Sequence, residues 1–263
     1  MNELILRDTG DYKKYEELLL KRDQLYKEAC SIQCSYLKEF GALLLEDYEL
    51  KVECIRIKKK IAYCQAAIAH GNLLDVEAME RTVAAAMAAY ETEIKRMISD
   101  KAAADKASVS PSYKVERAKR IYRRLAKILH PDLCAAVTEN EELRALWERI
   151  VIAYHANDDV ELENLEVLVR LKMKELGDLT DGAFTVIGNI EERIAAIEAE
   201  INDIVTTEPY VYIGLMSSEA RIAEKKAELQ KEIDEYKKYC AELSEVLRQM
   251  IDEGGGDLTW VQV

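Results

Sequence analysis

The sequence YKVERAKRIYRRLAKILHPDL, residues 113–133, combines a helix-forming run with an abrupt stop. Apolar residues recur in it at three- and four-residue spacing, which predicts an amphipathic helix. Pro131 ends this helix, because the residue before a proline disfavours the α conformation. We therefore expect His130 at the carboxyl end of the helix and Asp132 in the loop that follows.

The predicted helix is strongly basic although the chain as a whole is acidic. From Tyr113 to Lys127 it has seven Lys or Arg and one acidic residue, whereas the chain of 263 residues has a net charge of −13. The overall charge argues against nucleic acid as the main partner, since phosphate binding needs a positive surface. The basic helix indicates docking on an acidic protein surface, and a merely solvated helix face is the alternative. The expected docking residues are Lys119, Arg120, Arg123, Arg124 and Lys127.

A second amphipathic segment follows the loop. Its Trp147, Ile150 and Tyr154 recur at helical spacing. We expect them to pack against Leu125 and Ile128 of the basic helix, so that the two helices share a core.

Three local patterns in this region occur in the order in which the J-domain has them. Residues 122–126 read YRRLA, where that family has Tyr-Arg-Lys-Leu-Ala, and residues 130–132 are its signature His-Pro-Asp. Trp147, Ile150, Ala153 and Tyr154 fall at the spacing of its Phe-x-x-Ile-x-x-Ala-Tyr. The stretch from about residue 112 to 168 therefore resembles a J-domain, the module by which DnaJ-type co-chaperones engage DnaK-type chaperone ATPases.

The resemblance implies roles for the residues of the loop. In the family, the aspartate of the His-Pro-Asp loop accepts an arginine of the chaperone and couples docking to ATP hydrolysis. By resemblance this role falls to Asp132, as a free acceptor, with His130 and Pro131 fixing the loop.

The stretch departs from the family at its amino end. Residues 100–110 are rich in Ala, Lys and Asp and do not match the family's first helix, and the Gly-Phe-rich linker and Cys-rich zinc module of full DnaJ proteins are absent. Another element must then cover the core. We expect either part of the preceding helical hairpin, whose stripe of Tyr90, Ile94 and Met97 runs towards this region, or the helix from Val160 to Leu176.

The rest of the chain predicts long helices. It has only 10 Gly and 3 Pro, which is typical of long helices and coiled coils. Residues 11–70 carry an apolar seam, clearest from Cys54 to Ile68, and Gly71-Asn72 offers a turn into a second helix, from about Asp75 to Ala107. The two helices should pack as an antiparallel hairpin. The first overhangs the second by about 25 residues, or about 40 Å, and needs a further partner.

The C-terminal region offers such a partner. Isoleucines recur at three- and four-residue steps from Ile187 to Ile204, and a last helix runs from about Ser217 to Ile251 after a break near Pro209. This second hairpin is expected to pack on the overhang. The seams are equally compatible with a homodimer, because periodicity shows that a face is buried and not by what.

The predicted fold is therefore all-α, with long antiparallel, coiled-coil-like hairpins and an inserted J-domain-like helical module. The segments are an N-terminal hairpin over residues 1–107, the J-like module over 108–185 and a C-terminal hairpin over 186–252. A flexible tail with Trp260 follows over residues 253–263. That tail is expected either to be a disordered end or to act as a short docking peptide.

Other chemistry is not indicated by the sequence. It contains no Gly-rich phosphate loop, no Gly-x-Ser-x-Gly and no helical His pair for zinc, so we expect a protein that is not an enzyme, without cofactor or metal. Its six cysteines include no Cys-x-x-Cys pair and are expected as buried, reduced thiols. No leader and no apolar run of about 20 residues is seen, which predicts a cytoplasmic protein without a membrane partner.

The predicted function is that of a co-chaperone. It would dock on a DnaK-type chaperone ATPase through the basic helix and the His-Pro-Asp loop, stimulate ATP hydrolysis and present a client protein of unknown identity. The alternative is a structural or assembly adaptor whose degenerate J-domain serves only as a scaffold for protein interaction.

Overall fold

The computed structural model describes residues 10–107, 110–175 and 189–254. Over these ranges the chain is all-α and contains no strand, which confirms the predicted fold class. No helix in them is both long enough and apolar enough to span a membrane. The helices are α1 (Gly10–Ala69), α2 (Val76–Lys106), α3 (Ser112–Leu129), α4 (Ala135–Glu139), α5 (Glu141–His155), α6 (Asp159–Glu175), α7 (Ile190–Thr206), α8 (Ile213–Met216) and α9 (Glu219–Gly254).

The described chain divides into two compact units, and α1 contributes to both. The first unit combines residues 10–31, 110–175 and 189–211, and the second combines 32–107 and 212–254. The predicted segment 1–107 thus gives its first part to the unit that holds the J-like region. The predicted C-terminal hairpin is likewise divided, with α7 in the first unit and α9 in the second. Residues 253 and 254 of the predicted tail belong to α9, and the rest of the tail lies outside the described residues.

In the second unit, α1 and α2 form the expected hairpin. Gly71 has φ +64°, a left-handed conformation that costs glycine little, and the Asn72 N–H donates to the Ala67 carbonyl at 2.9 Å. This is the closing bond of a Schellman motif. The carboxylate of Asp75 then accepts from the N–H of Ala78 at 2.8 Å and caps α2. The turn is therefore encoded locally, as the sequence predicted.

Helix α9 packs against this hairpin. Its Leu247 and Met250 join the cluster formed by Met79, Val83 and Met87 of α2 with α1. The cysteines of this unit need a correction, because Cys54 of α1 and Cys240 of α9 are joined as a disulfide, with their Cα atoms 5.3 Å apart. Both lie on apolar stripes that face each other, a pairing that the sequence alone did not reveal. Of the free cysteines in the described chain, Cys64 and Cys134 are buried as expected, whereas Cys30 is exposed and Cys34 is half-buried.

In the first unit, the isoleucine seam of α7 packs against the amino-terminal part of α1. Tyr15 and Leu19 are buried there with Ile194 and Ile201. Lys14 pairs with Glu198 at 2.8 Å, and Tyr210 donates to Glu28 at 3.4 Å. Tyr210 lies just beyond the end of α7, and Arg22 of α1 pairs with Glu200 of α7 at 3.3 Å. Since the three pairs follow the same order along α1 and along residues 190–210, the two segments run in parallel. The predicted overhang of α1 and the predicted isoleucine seam of α7 thus bury each other's apolar faces.

The J-like region has its own core, built by α3, α5 and α6. Leu125 and Ile150 are fully buried together with Leu162 and Leu165 of α6 and with Leu20 of α1. Both expected covers contribute, because α6 is the helix from Val160 and Leu20 belongs to α1 of the hairpin. The stripe expected from the hairpin was wrong for two of its residues, because Tyr90 and Ile94 pack in the cluster of the second unit. Ile128 and Trp147 are only partly buried against the core.

Candidate functional site

The loop after α3 is a tight turn. His130 leaves the α conformation at ψ 127°, as expected for a residue before proline. Its carbonyl accepts from the N–H groups of Leu133 at 2.8 Å and Cys134 at 2.9 Å. The side chain of Leu133 is buried in the α1–α7 cluster, and that of Cys134 is buried in the J-like core. Two hydrophobic anchors therefore hold the turn in place.

His130 is buried and orients the loop through both ring nitrogens. Its Nδ1 accepts from the Asp132 N–H at 3.1 Å, and its Nε2 lies 3.4 Å from Oδ2 of Asp23 in α1. Because Nδ1 accepts, Nε2 carries the proton and donates it toward the carboxylate. The edge of the ring packs on Trp147, with ring centroids 5.0 Å apart. His130 thus shapes the loop.

Asp23 is the carboxylate that links the polar contacts around the loop. Besides His130, it accepts from the hydroxyl of Tyr122 at 2.7 Å. Burial by itself would raise the pKa of Asp23, but the hydrogen bonds of His130 and Tyr122 and the charge of Arg22 outweigh burial and lower the pKa. Burial, together with the neighbouring Asp23, raises the pKa of Tyr122, so that its hydroxyl remains a donor.

Asp132 is not the free acceptor that was expected. Its Oδ2 lies 3.6 Å from Nη2 of Arg22, which also pairs with Asp23 at 3.2 Å and with Glu200 of α7 at 3.3 Å. The sequence gave no sign of this partner, because Arg22 lies 110 positions earlier and is brought to the loop by α1. The side chain of Asp132 is still 41% exposed, whereas that of Arg22 is only 17% exposed. One side of the carboxylate therefore remains open to solvent.

The basic residues of α3 do not form one open surface. On the side of α6, Arg117 pairs with Asp159 at 3.2 Å, and Arg124 donates to both carboxylate oxygens of Glu166, at 3.0 and 2.8 Å. These residues fasten α3 to α6.

On the side of α1, Lys127 pairs with Glu16 at 2.5 Å and Arg123 donates to Gln24 at 3.1 Å. Of the five predicted docking residues, Lys119, Arg120 and Arg123 make no ion pair within the described part of the chain, and Lys119 and Arg120 also make no hydrogen bond there. Arg120 is exposed. Fewer basic side chains of α3 are thus free for docking than the sequence predicted.

Sequence reasoning missed the contribution of α1 to this site. Arg22 and Asp23 are adjacent charges between the buried residues Leu19 and Leu25, and this interruption of an apolar face was the available signal. Further along α1, Lys27 donates to the carbonyl of Tyr154 at 2.7 Å and lies 3.7 Å from the centre of its ring. Burial and the nearby charge of Lys119 lower the pKa of Lys27 to about 8. α1 therefore contacts α3, the loop and the end of α5.

Comparison with known proteins adds no relative to this description. No protein-family model, no curated protein and no solved structure matches the chain. Among the residues that the structure describes, no group of three or more His, Cys, Asp or Glu could hold a metal ion. Inference about function therefore rests on the site itself.

Proposed function

We propose that the protein is a co-chaperone that docks on a DnaK-type chaperone ATPase through α3 and the loop 130–132 and stimulates ATP hydrolysis. The observation that carries the proposal is that the three J-like patterns meet in one packed region, with Asp132 at its edge. Tyr122 stacks on Tyr154 with ring centroids 3.9 Å apart. Leu125 and Ile150 are fully buried in the same core.

The roles within the site follow from its contacts. Asp132 is the acceptor for a guanidinium of the chaperone, and His130 and Pro131 set the direction in which the acceptor points. Arg120 and Lys119 provide the open positive charge that steers the encounter with an acidic surface. Arg123, Arg124 and Lys127 add to the field, although their side chains are held by intrachain partners. A cytoplasmic location is part of this proposal, as the sequence predicted; the Cys54–Cys240 disulfide is the feature of the structure that argues against a reducing compartment.

The test is a steady-state ATPase assay of a bacterial DnaK-type chaperone with and without this protein. We expect the wild-type protein to accelerate hydrolysis and Asp132→Asn to abolish the acceleration. The free energy of unfolding of the variant should change by no more than about 0.5 kcal/mol, because the carboxylate is partly exposed. Asp105→Asn, which removes an exposed carboxylate paired with Lys101 in the second unit, is the matched control and should stimulate as the wild type does. Absence of stimulation by the wild-type protein with several such chaperones would contradict the proposal.

A second candidate function is an assembly adaptor in which the J-like region serves as a scaffold. The contact of Arg22 with Asp132 favours this candidate, because the acceptor already has a partner in the same chain. An adaptor should bind its partner equally well with and without Asp132→Asn. Partner binding that is lost in this variant would exclude the adaptor function for this loop.

A further inference from the structure

Arg22 presents to Asp132 the same chemical group that a docking partner is proposed to present. Its guanidinium lies 3.6 Å from the carboxylate and, with an exposed fraction of 17%, is held against the protein. We infer that Arg22 is an internal competitor for Asp132, so that docking requires an exchange of one guanidinium for another. This inference rests on the proposed function and names how the same site is regulated.

The arrangement of Arg22 keeps the free-energy cost of this exchange low. Arg22 also pairs with Asp23 at 3.2 Å and with Glu200 at 3.3 Å, and both distances are shorter than the 3.6 Å to Asp132. When a partner takes Asp132, Arg22 therefore keeps two carboxylates and is not left as a buried, unpaired charge. The competitor weakens docking without preventing it.

The loop keeps its shape during the exchange. The N–H of Asp132 is held by Nδ1 of His130, and His130 in turn is held by Asp23, which also accepts from Tyr122. None of these three hydrogen bonds and contacts includes Arg22, which meets the network only at the other oxygen of Asp23, Oδ1, at 3.2 Å. Loss of the Arg22–Asp132 pair should therefore free the carboxylate while leaving the backbone of the loop in place.

The exchange also determines which chemical group of a partner can take the place of Arg22 on Asp132. A neutral hydrogen-bond donor cannot replace a guanidinium on a carboxylate without loss of the charge interaction, whereas another guanidinium offers the same planar, two-pronged geometry. The site should thus respond to an arginine, and because Arg120 of the same docking helix α3 is exposed, that arginine should be presented by an acidic surface.

The first experiment tests the competition without any chaperone. A short arginine peptide is titrated into the full-length protein while the amide resonances of Asp132 and Leu133 are followed. For Arg22→Gln, we expect half-saturation at about threefold lower peptide concentration than for the wild type, which corresponds to about 0.7 kcal/mol at 1.4 kcal/mol per tenfold. Lys14→Gln is the matched control, because Lys14 pairs with Glu198 between the same two helices and does not contact the loop. Asp132→Asn should remove the response of these amides.

The second experiment measures the affinity of the DnaK-type chaperone, in the presence of ATP, for the same variants. Arg22→Gln should bind about threefold tighter than the wild type, and Lys14→Gln should bind as the wild type does. Arg22→Lys keeps the charge beside Asp23 and Glu200 and should fall between the two, which provides a folded variant if Arg22→Gln is unstable.

The outcomes separate this inference from the proposed function. If Arg22→Gln and Arg22→Lys bind both the peptide and the chaperone as the wild type does, internal competition is wrong even though the co-chaperone function stands. If the peptide detects competition but no chaperone binds, the inference is supported for another arginine-bearing partner and the co-chaperone function is wrong.

Discussion

Asp23 is the residue on which the geometry of the loop depends most. It accepts from Tyr122 at 2.7 Å and faces Nε2 of His130 at 3.4 Å, and hydrogen bonds to a charged acceptor stabilise more than those between neutral groups. We predict that Asp23→Asn lowers the free energy of unfolding by about 1–2 kcal/mol at pH 7. Urea denaturation measures the change. Asp105→Asn, an exposed control, should stay within about 0.5 kcal/mol.

The same residue predicts how stability depends on pH. The pKa of Asp23 in the folded protein lies below its ordinary value of 3.8, so that near this pH the unfolded chain binds more protons than the folded one. The contribution of Asp23 is therefore complete above pH 3.8 and is lost as the pH falls through the lower, folded pKa. The stability difference between the wild type and Asp23→Asn should shrink on acidification. A difference that stays constant down to acid unfolding would show that the carboxylate is not tied to the fold.

Lys27 offers an independent test of how closely α1 packs on α5. Its pKa of about 8 lies below the ordinary 10.5, because burial beside Tyr154 and the charge of Lys119 disfavour the ammonium form. Between these two values the unfolded chain holds more protons, so the contribution of Lys27 to stability should increase as the pH rises. Titration of the labelled lysine side chains by NMR should find one midpoint near 8. Lys119→Gln should raise the pKa of Lys27, and Lys21→Gln, at an exposed position, should not.

At the level of helices, the sequence predicted where each helix begins and ends better than it predicted which helices pack together. The ends of α2 and α3 follow from local signals, Asp75 at the start of one and Pro131 after the other, and the structure places them within a residue or two of the prediction. The isoleucine seam correctly indicated a buried face. The sequence also predicted that this seam packs on the overhang of α1, as is observed for Ile190 to Ile204, whereas Ile187 lies outside the described residues. Periodicity alone left a homodimer equally compatible, and it could not show which charged residues the packing brings together, so the Arg22–Asp132 pair was out of reach.

The basic residues of α3 fall into two groups, those that bind α6 and those that make no ion pair. The composition of the helix does not distinguish the two groups. Arg124 binds Glu166 through two hydrogen bonds, whereas Arg120 makes no ion pair within the described residues. We predict that Arg120→Glu slows association with a DnaK-type chaperone about threefold at low salt and leaves stability unchanged. Arg124→Glu should lower the free energy of unfolding by about 1 kcal/mol, because it places two carboxylates together.

Stopped-flow association at two salt concentrations and urea denaturation separate the two effects. The effect of Arg120→Glu on the association rate should fade at high salt, where exposed charges are screened. An association rate that is indifferent to both salt and Arg120→Glu would mean that α3 is not the docking face.

At the level of the molecule, the first unit is assembled from three distant stretches of the chain. Leu20 of α1 lies in the J-like core, and Leu133 of the loop lies in the cluster formed by α1 and α7. The J-like region is therefore not an independent insert, although its own helix α6 covers much of its core. The sequence predicted that part of the hairpin or the helix from Val160 must cover this core, but it did not identify Leu20 of α1 as part of that cover.

This architecture predicts how fragments behave. A fragment of residues 111–176 retains α6 but loses Leu20 from its core, and it leaves His130 and Tyr122 without Asp23. A domain of about 60 residues has little stability to spare, so the fragment should melt broadly and at a lower temperature than the intact protein. A second fragment, with residues 10–31 joined by a flexible linker to residues 110–211, restores these contacts and should melt cooperatively. Thermal unfolding followed by circular dichroism, with amide dispersion as a check on packing, compares the two. If residues 111–176 alone melt as sharply and at as high a temperature as the longer fragment, α1 does not stabilise the J-like region, and the dependence of the loop on Asp23 is wrong as well.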